Sequence, residues 1–257
     1  MQQKFAMKYN IGIIIQARTG STRLPNKTVL PFYEDKSVLQ IIIEKLKSDF
    51  SIPIILATTT NPSDDVLEEI ATLNNIKYFR GDENNVLKRF IDCAALYKID
   101  IVIRVCADNP FLETYFINQL ISQYDLKKCN YISFSTKESV PAMKTHYGLF
   151  AELVELDALK KINNLTVDTL YTEHVTNYIY THPEIFSLNF LQIPNELQRQ
   201  NIRLTLDTGS NLTNLKYIYC KLKRDKERFD YKNILALLEE EKNILSSMKQ
   251  EKFKKTN

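Results

Sequence analysis

Ile13-Ile14-Ile15-Gln16-Ala17-Arg18-Thr19-Gly20-Ser21-Thr22-Arg23-Leu24-Pro25-Asn26-Lys27 begins as an apolar run short enough for a buried strand and turns abruptly into a polar loop. That loop holds one glycine, several hydroxyls and the cations Arg18, Arg23 and Lys27. Backbone N–H groups around Gly20, with the hydroxyls of Thr19, Ser21 and Thr22, can form a concave donor surface, and the cations add long-range attraction. A strand end built this way suits a polyanion, and a phosphate chain fits best. The competing explanation is a solvated charged loop. Neither G-x-G-x-x-G nor G-x-x-x-x-G-K-[ST] occurs, so dinucleotide fingerprints and Walker loops are excluded.

Outward from that loop, apolar runs alternate with helical periodicity. Ser37 is placed to cap a helix over Val38–Leu46. Pro53–Thr58 reads as a buried strand, and Ser63 as the cap of a helix whose first turn carries Asp64 and Asp65, acids that favour a helix dipole. A strand at Ile76–Phe79 leads through Arg80-Gly81-Asp82-Glu83-Asn84-Asn85 to a helix from about Val86 to Tyr97. Ile101–Val105 is the next strand, followed by a helix from about Glu113 to Tyr124 and a strand near Tyr131–Phe134. Alternation of this kind predicts an α/β fold, a mainly parallel sheet covered by helices, with ligands beyond the carboxyl ends of the strands.

After Ser135 the pattern changes. A longer strand is expected over His146–Glu155, then a helix containing Tyr171–Ile179 and a strand at Phe186–Leu191, giving a small substrate-facing subdomain at about 136–200. The sheet is expected to resume at Ile202–Asp207, and two helices follow, near Leu212–Lys221 and Tyr231–Ser247. Residues 1–247 then form a single domain, and the basic segment 248–257 is a disordered tail.

Size and composition narrow the function. With 257 residues, 44% of them hydrophobic, the chain can bury a sizeable core. A net charge of +3 is too balanced for nucleic-acid binding by bulk electrostatics. No apolar run approaches the roughly 18 residues of a membrane span, and the N-terminus lacks a signal peptide's apolar core, so a cytoplasmic protein without membrane insertion is expected. Cys93, Cys106, Cys129 and Cys220 lie far apart with no zinc spacing, consistent with small apolar thiols in a reducing compartment. Only five glycines occur where about 18 would be average, and each borders one of the motifs above.

Asp108 and Asp207 each follow an apolar segment, so both carboxylates can end at one sheet edge. There they would repel unless a cation lay between them, and a hard divalent ion such as Mg²⁺ suits oxygen ligands shared with a triphosphate. The alternative is that Asp108 caps the helix after Pro110 and Asp207 the one near Ser210.

Taken together, Gln16–Lys27, Ala57–Asn61, Phe79–Leu87, Arg104–Pro110, Glu173–Thr176 and Arg203–Thr208 resemble, in order and spacing, the spore-coat polysaccharide type of cytidylyltransferase. These are similar to the CMP-sugar synthetases acting on keto-deoxyoctulosonate and acylneuraminate. The resemblance spans roughly residues 11–245 and implies a glycosyltransferase-A-like nucleotidyltransferase fold, CTP as donor and Mg²⁺ as cofactor. It implies that Arg18, Lys27, Asp108 and Asp207 are catalytic, with the two aspartates holding the metal. Gln16, Ala17, Arg18, Gly20, Ser21, Arg23 and Lys27, with Arg80 and Asp82, would bind the nucleotide. His146, Glu152, Glu173 and His174 would face the acceptor. Asn26 stands where the family has glycine, and Gly209-Ser210-Asn211 replaces Pro-Glu-Asp. His146-Tyr147-Gly148 is closer to the keto-deoxyoctulosonate enzymes than to the spore-coat pattern.

The expected reaction is CMP transfer from CTP to a sugar acid or related small acceptor, with pyrophosphate released, for a surface glycan or capsule precursor. A phosphorylated or phosphonate acceptor is the nearest alternative, with Lys137, Lys144 and Arg199 available to bind it. A non-catalytic nucleotide-binding protein is the second and a pure assembly subunit the third. A homodimer accords with the resemblance.

Overall fold

A computed structural model describes residues 9–198, 202–225 and 228–253. β1 (Ile11–Gln16) leads through a hairpin of β2 (Pro31–Tyr33) and β3 (Lys36–Ser37) into α1 (Val38–Asp49). Then come β4 (Ile54–Thr59), α2 (Asp65–Leu73), β5 (Lys77–Gly81), α3 (Val86–Leu96), β6 (Ile101–Cys106), α4 (Thr114–Leu126) and β7 (Tyr131–Ser135). β8 (Glu152–Glu155), α5 (Leu156–Leu165), α6 (Thr169–Glu173), α7 (Asn177–Thr181) and β9 (Leu188–Gln192) follow. α8 (Gly209–Arg224), α9 (Tyr231–Glu240) and α10 (Lys242–Phe253) end the described chain.

Seven strands form one sheet in the order β5-β4-β1-β6-β8-β7-β9. Its pairings are parallel except those of β8, which runs antiparallel between β6 and β7. The expected mainly parallel α/β sheet is therefore present. β1 lies inside it, and its alternation explains why the sequence shows an unbroken apolar run. Ile11, Ile13 and Ile15 enter the core beneath α1, α2, α4, α8 and α9, while Ile14 enters the opposite core beneath α3, α5 and α7. Ser37 caps α1 as expected, in a reciprocal capping box with Gln40.

Departures from expectation cluster after Ser135. β8 and β9 join the main sheet, so the segment 136–200 does not build a sheet of its own. The expected strand from His146 shrinks to β8, because Gly148 adopts φ +62 and the backbone before it turns toward Leu204. The expected helix across Tyr171–Ile179 splits into α6 and α7. His174–Thr176 breaks it, and the buried Thr176 hydroxyl donates to Glu152 at 2.9 Å. Ile202–Asp207 is extended but pairs with two separate segments, Leu204 N with His146 O and Leu206 N with Asp108 O, both at 2.8 Å. A segment that divides its hydrogen bonds in this way does not extend the sheet, which therefore does not resume there.

The last expected helix also breaks, at Glu241, and the supposed tail begins inside α10, where Met248 is buried against the core. Apolar burial of Met248 outweighs the segment's basic character; residues 254–257 lie outside the described residues. Cys93 and Cys129 are buried as expected, whereas Cys220 is exposed on α8.

A Cβ at Gly148 would lie 2.6 Å from the Leu204 carbonyl oxygen in a backbone region that side chains rarely adopt. Gly148→Ala should therefore lower unfolding free energy by about 2–3 kcal/mol in chemical denaturation; an unchanged midpoint would contradict this packing.

Candidate active site

The loop after β1 is held from below by one carboxylate. Asp64 is buried and accepts from Thr19 N (2.8 Å), Thr19 Oγ1 (2.6 Å), Thr58 Oγ1 (2.9 Å), Thr59 Oγ1 (2.6 Å) and Thr59 N (3.2 Å). It ties the loop to the end of β4 and stands at the N-cap position of α2 without making a side-chain capping bond there; the expected Ser63 cap is absent, and Asn61, whose side chain accepts from Ser63 N, caps the short 3-10 turn that precedes α2. Burial alone would raise the Asp64 pKa, but its hydroxyl and amide donors outweigh it and hold the carboxyl below its ordinary 3.8. The Thr19 carbonyl in turn accepts from Ser21 N and Asn26 N, which folds the loop back on itself. Asn26 has φ +60, the left-handed region that glycine, and after it asparagine, adopts most readily.

This turn delivers Lys27 to the sheet edge. Its ammonium donates to Asp108 Oδ2 at 2.6 Å, to Asp207 Oδ1 at 3.2 Å and to the Leu206 carbonyl at 2.9 Å. Burial lowers the Lys27 pKa, yet the two aspartates outweigh it and hold the ammonium above 10.5. Asp207 also meets Arg23 at 3.0 Å and Arg203 at 2.6 Å. Burial works against its ionisation, but Lys27, Arg23 and Arg203 keep its carboxyl below 3.8. Neither aspartate caps a helix. Thr208 caps α8 in a capping box with Asn211, and Glu113 occupies the cap position of α4. Asn211 also accepts from the Asp207 and Thr208 amides and from Arg203 Nε, the work of a capping acid done by an amide.

Two carboxylates therefore share one cation, as their convergence required. Among the described residues no group of three or more His, Cys, Asp or Glu side chains could cage a metal. Asp108 and Asp207 alone offer the one-or-two-carboxylate donor set that Mg²⁺ uses when phosphate oxygens complete its shell, so these residues fit that ion.

A cleft of about 430 Å³ opens beside this cluster, with Arg23, Asp108 and Asp207 at one side and Arg104, Lys144, His146, His174, Thr176 and Tyr180 around the rest. His146 and His174 thus reach the cleft. Glu152 does not: it is fully buried beneath it, pairing with Arg104 at 2.5 Å and accepting from Tyr131 and Thr176. A carboxylate with its lone pairs spent on three internal donors cannot meet an acceptor, and its role is to hold Arg104 in place. Glu173 pairs instead with Arg18 at 3.7 Å, both being largely exposed.

Three nucleotide-side expectations are also revised. The Gln16 amide oxygen accepts from Arg104 Nε and Nη2, which commits it to the cleft network. Arg80 spends its guanidinium on Asp65, Glu68 and the Thr59 and Asn61 carbonyls, on the α2 side. The Asp82 carboxylate accepts from Asn84 N and Asn85 N at 2.8 Å and so shapes the turn into α3. Ala17 is buried with its amide bonded to Ala57 O, while Arg18, Gly20, Ser21 and Arg23 lie on the accessible face of the loop. Lys137 does not line the cleft, and Arg199 lies outside the described residues.

Sequence reasoning missed Asp64 and Arg104. For Arg104 a signal existed: a lone charge inside the apolar run of β6 has to find a buried partner.

A mainly parallel sheet with a cation-rich loop after its first strand and paired aspartates at the neighbouring edge has the architecture of a nucleotidyltransferase. Residues 12–252 match the family described as Cytidylyltransferase, and the chain belongs to that family of CTP-dependent nucleotidyltransferases. It is 35% identical to an uncharacterized protein of Methanocaldococcus jannaschii, over 94% of this chain and 96% of that one. It is 29% identical to the spore coat polysaccharide biosynthesis protein SpsF of Bacillus subtilis, over 82% of this chain and 87% of that one. Among solved structures it superposes on a cytidylyltransferase from Leptospira borgpetersenii with a TM-score of 0.81 and 27% identity, covering 92% of this chain and 97% of that one. No helix among the described residues is long and apolar enough to cross a membrane.

Asp64→Asn would place an amide against the Thr59 N–H and should cost about 2 kcal/mol at pH 7. Because the folded-state pKa of Asp64 is depressed, the stability it confers is full above 3.8 and is lost as pH falls through the lower folded value. Urea titrations of the wild type and variant should therefore converge below pH 3.8; a gap independent of pH would contradict the assignment.

Proposed function

We propose that this enzyme transfers CMP from CTP to a small sugar acid with release of pyrophosphate, making an activated precursor for a surface polysaccharide. The observation that carries this reading is the convergence of Lys27, Asp108 and Asp207 at the mouth of a cleft whose remaining wall bears Arg104, Lys144, His146 and His174. A cytidylyltransferase has to bring a triphosphate and an acceptor oxygen together in line, and catalysis then rests on position and charge. The loop cations face the triphosphate, and the cleft cations favour an acceptor that carries its own negative charge.

Arg18, Arg23 and Lys27 neutralise charge on the triphosphate and on the departing pyrophosphate. Asp108 and Asp207 would hold a magnesium ion, which when bound polarises the α-phosphate. Arg104 is fixed by Glu152 and Gln16, with three of its five N–H groups spent on them, and presents the rest of its guanidinium to the acceptor's anionic group. His146 and His174, which line the same cleft, orient that acceptor. A cytoplasmic location and a homodimeric state belong to the same proposal.

Pyrophosphate release measured with CTP, UTP, ATP and GTP against sugar acids, neutral sugars and phosphorylated acceptors tests this. Turnover is expected with CTP and a sugar acid, and to fall on the order of a hundredfold or more in Asp108→Ala. Turnover confined to phosphorylated or phosphonate acceptors would overturn the acceptor class. Silence with every nucleotide would overturn the reaction.

A further inference from the structure

α3 carries a cation that the reaction described above leaves unused. Arg89 lies on the buried face of this helix, among Val86, Leu87, Phe90 and Cys93, and is 0% exposed. Its Nη1 donates to the Asp82 carbonyl at 2.9 Å, while Nε and Nη2 have no hydrogen-bond partner among the described residues. A fully buried guanidinium with two nitrogens unspent and no paired carboxylate is a costly group to keep. An apolar side chain at 89 would complete the helix face without that cost.

Its place in the fold suggests what the charge serves. A Cβ at Gly81 would lie 3.0 Å from Arg89 Cγ, so the side chain is pressed against the turn that follows β5. The residues that follow reach two loops: Asn61, just past β4, donates to Glu83 at 3.2 Å, and a Cβ at Gly20 in the loop after β1 would meet Glu83 at 3.7 Å. Arg89 therefore sits beneath the junction of the two segments that flank the nucleotide side of the sheet. Burial, then the like charge of Arg18, push its guanidinium down to about 10, against the attraction of Asp64, Asp82 and Glu83. Asp64 is saturated by its own donors and the Asp82 carboxylate by the turn amides, so neither is available to pair with it.

We propose that Arg89 is a buried counter-cation for the triphosphate of CTP, acting by its field from beneath the loop that Arg18, Gly20 and Ser21 present to the nucleotide. This rests on the cytidylyltransferase reading. Arg89 touches no reacting atom in this role; it is a positioning residue whose charge the carboxylates of Asp64, Asp82 and Glu83 offset only in part. Neutral cytosine and ribose gain little from a cation at that remove, whereas each added phosphate gains more, so the effect should grow along the series cytidine, CMP, CTP.

Calorimetric titration of the wild type, Arg89→Met and Arg89→Lys with those three ligands, in the presence of Mg²⁺, tests the proposal. Arg89→Met should weaken CTP on the order of tenfold, weaken CMP less and leave cytidine within about twofold. Its ligand-free melting temperature should hold or rise, since an unpaired buried charge has been removed. Arg89→Lys should keep CTP within about threefold of the wild type, because the charge remains. If Arg89→Met does not fold, Arg89→Gln replaces it, retaining a donor for the Asp82 carbonyl without the charge. Equal weakening of cytidine and CTP would show that Arg89 merely braces the turn, and unchanged CTP affinity would also overturn the proposal. A wild type that binds no CTP would instead sink the cytidylyltransferase reading itself.

Discussion

The Lys27 ammonium, donating at once to Asp108, Asp207 and the Leu206 carbonyl, joins three segments far apart in the chain. The loop after β1, the end of β6 and the extended stretch before α8 meet through it, through the Arg23–Asp207 ion pair and through the Leu206 amide bonded to Asp108 O. Without that cation two carboxylates would face each other at a partly buried edge, an arrangement that would drive one of them to protonate. In the proposed reaction a divalent ion held by the two aspartates would take over the attraction that lysine supplies and leave lysine to meet phosphate.

Other buried charges set the accessible ones in place. Asp64 gathers five donors to fix the loop from which Arg18 and Arg23 project. Glu152, saturated by Arg104, Tyr131 and Thr176, does the same for the cleft. In each case the carboxylate is buried, and the segment it fixes carries the cations that the proposed reaction uses. Buried ionic groups of this kind contribute little net stability, and their value lies in orientation.

Much of this was legible from residue order. Alternating apolar runs identified the parallel α/β core because each sheet strand, covered on both faces, must be apolar throughout. The run Ile13–Lys27 marked the polar loop after β1, and the convergence of Asp108 and Asp207 was recognisable because each stood just past an apolar segment. What escaped were features set by tertiary pairing. Gly148 and the divided bonding of Ile202–Asp207 turned expected strands into connecting segments, and Met248 drew an expected tail into the core. Glu152 was visible as an acid beside the acceptor motif, but its burial depended on Arg104, which is forty-eight positions away. Arg80 was misplaced for a related reason: its partner Asp65 on α2 was read only as a helix-dipole acid, and its partner Glu68 was not singled out.

The central claim is that Asp108 and Asp207, bridged here by Lys27, form the centre where nucleotide and divalent ion bind together. Calorimetric titration of CTP into the wild type and Asp207→Asn, each with Mg²⁺ and with the ion chelated, tests it most directly. The account predicts CTP binding to the wild type that weakens about tenfold or more when the ion is removed, and an Asp207→Asn variant in which the ion no longer matters. CTP affinity that is indifferent both to the ion and to Asp207 would contradict it.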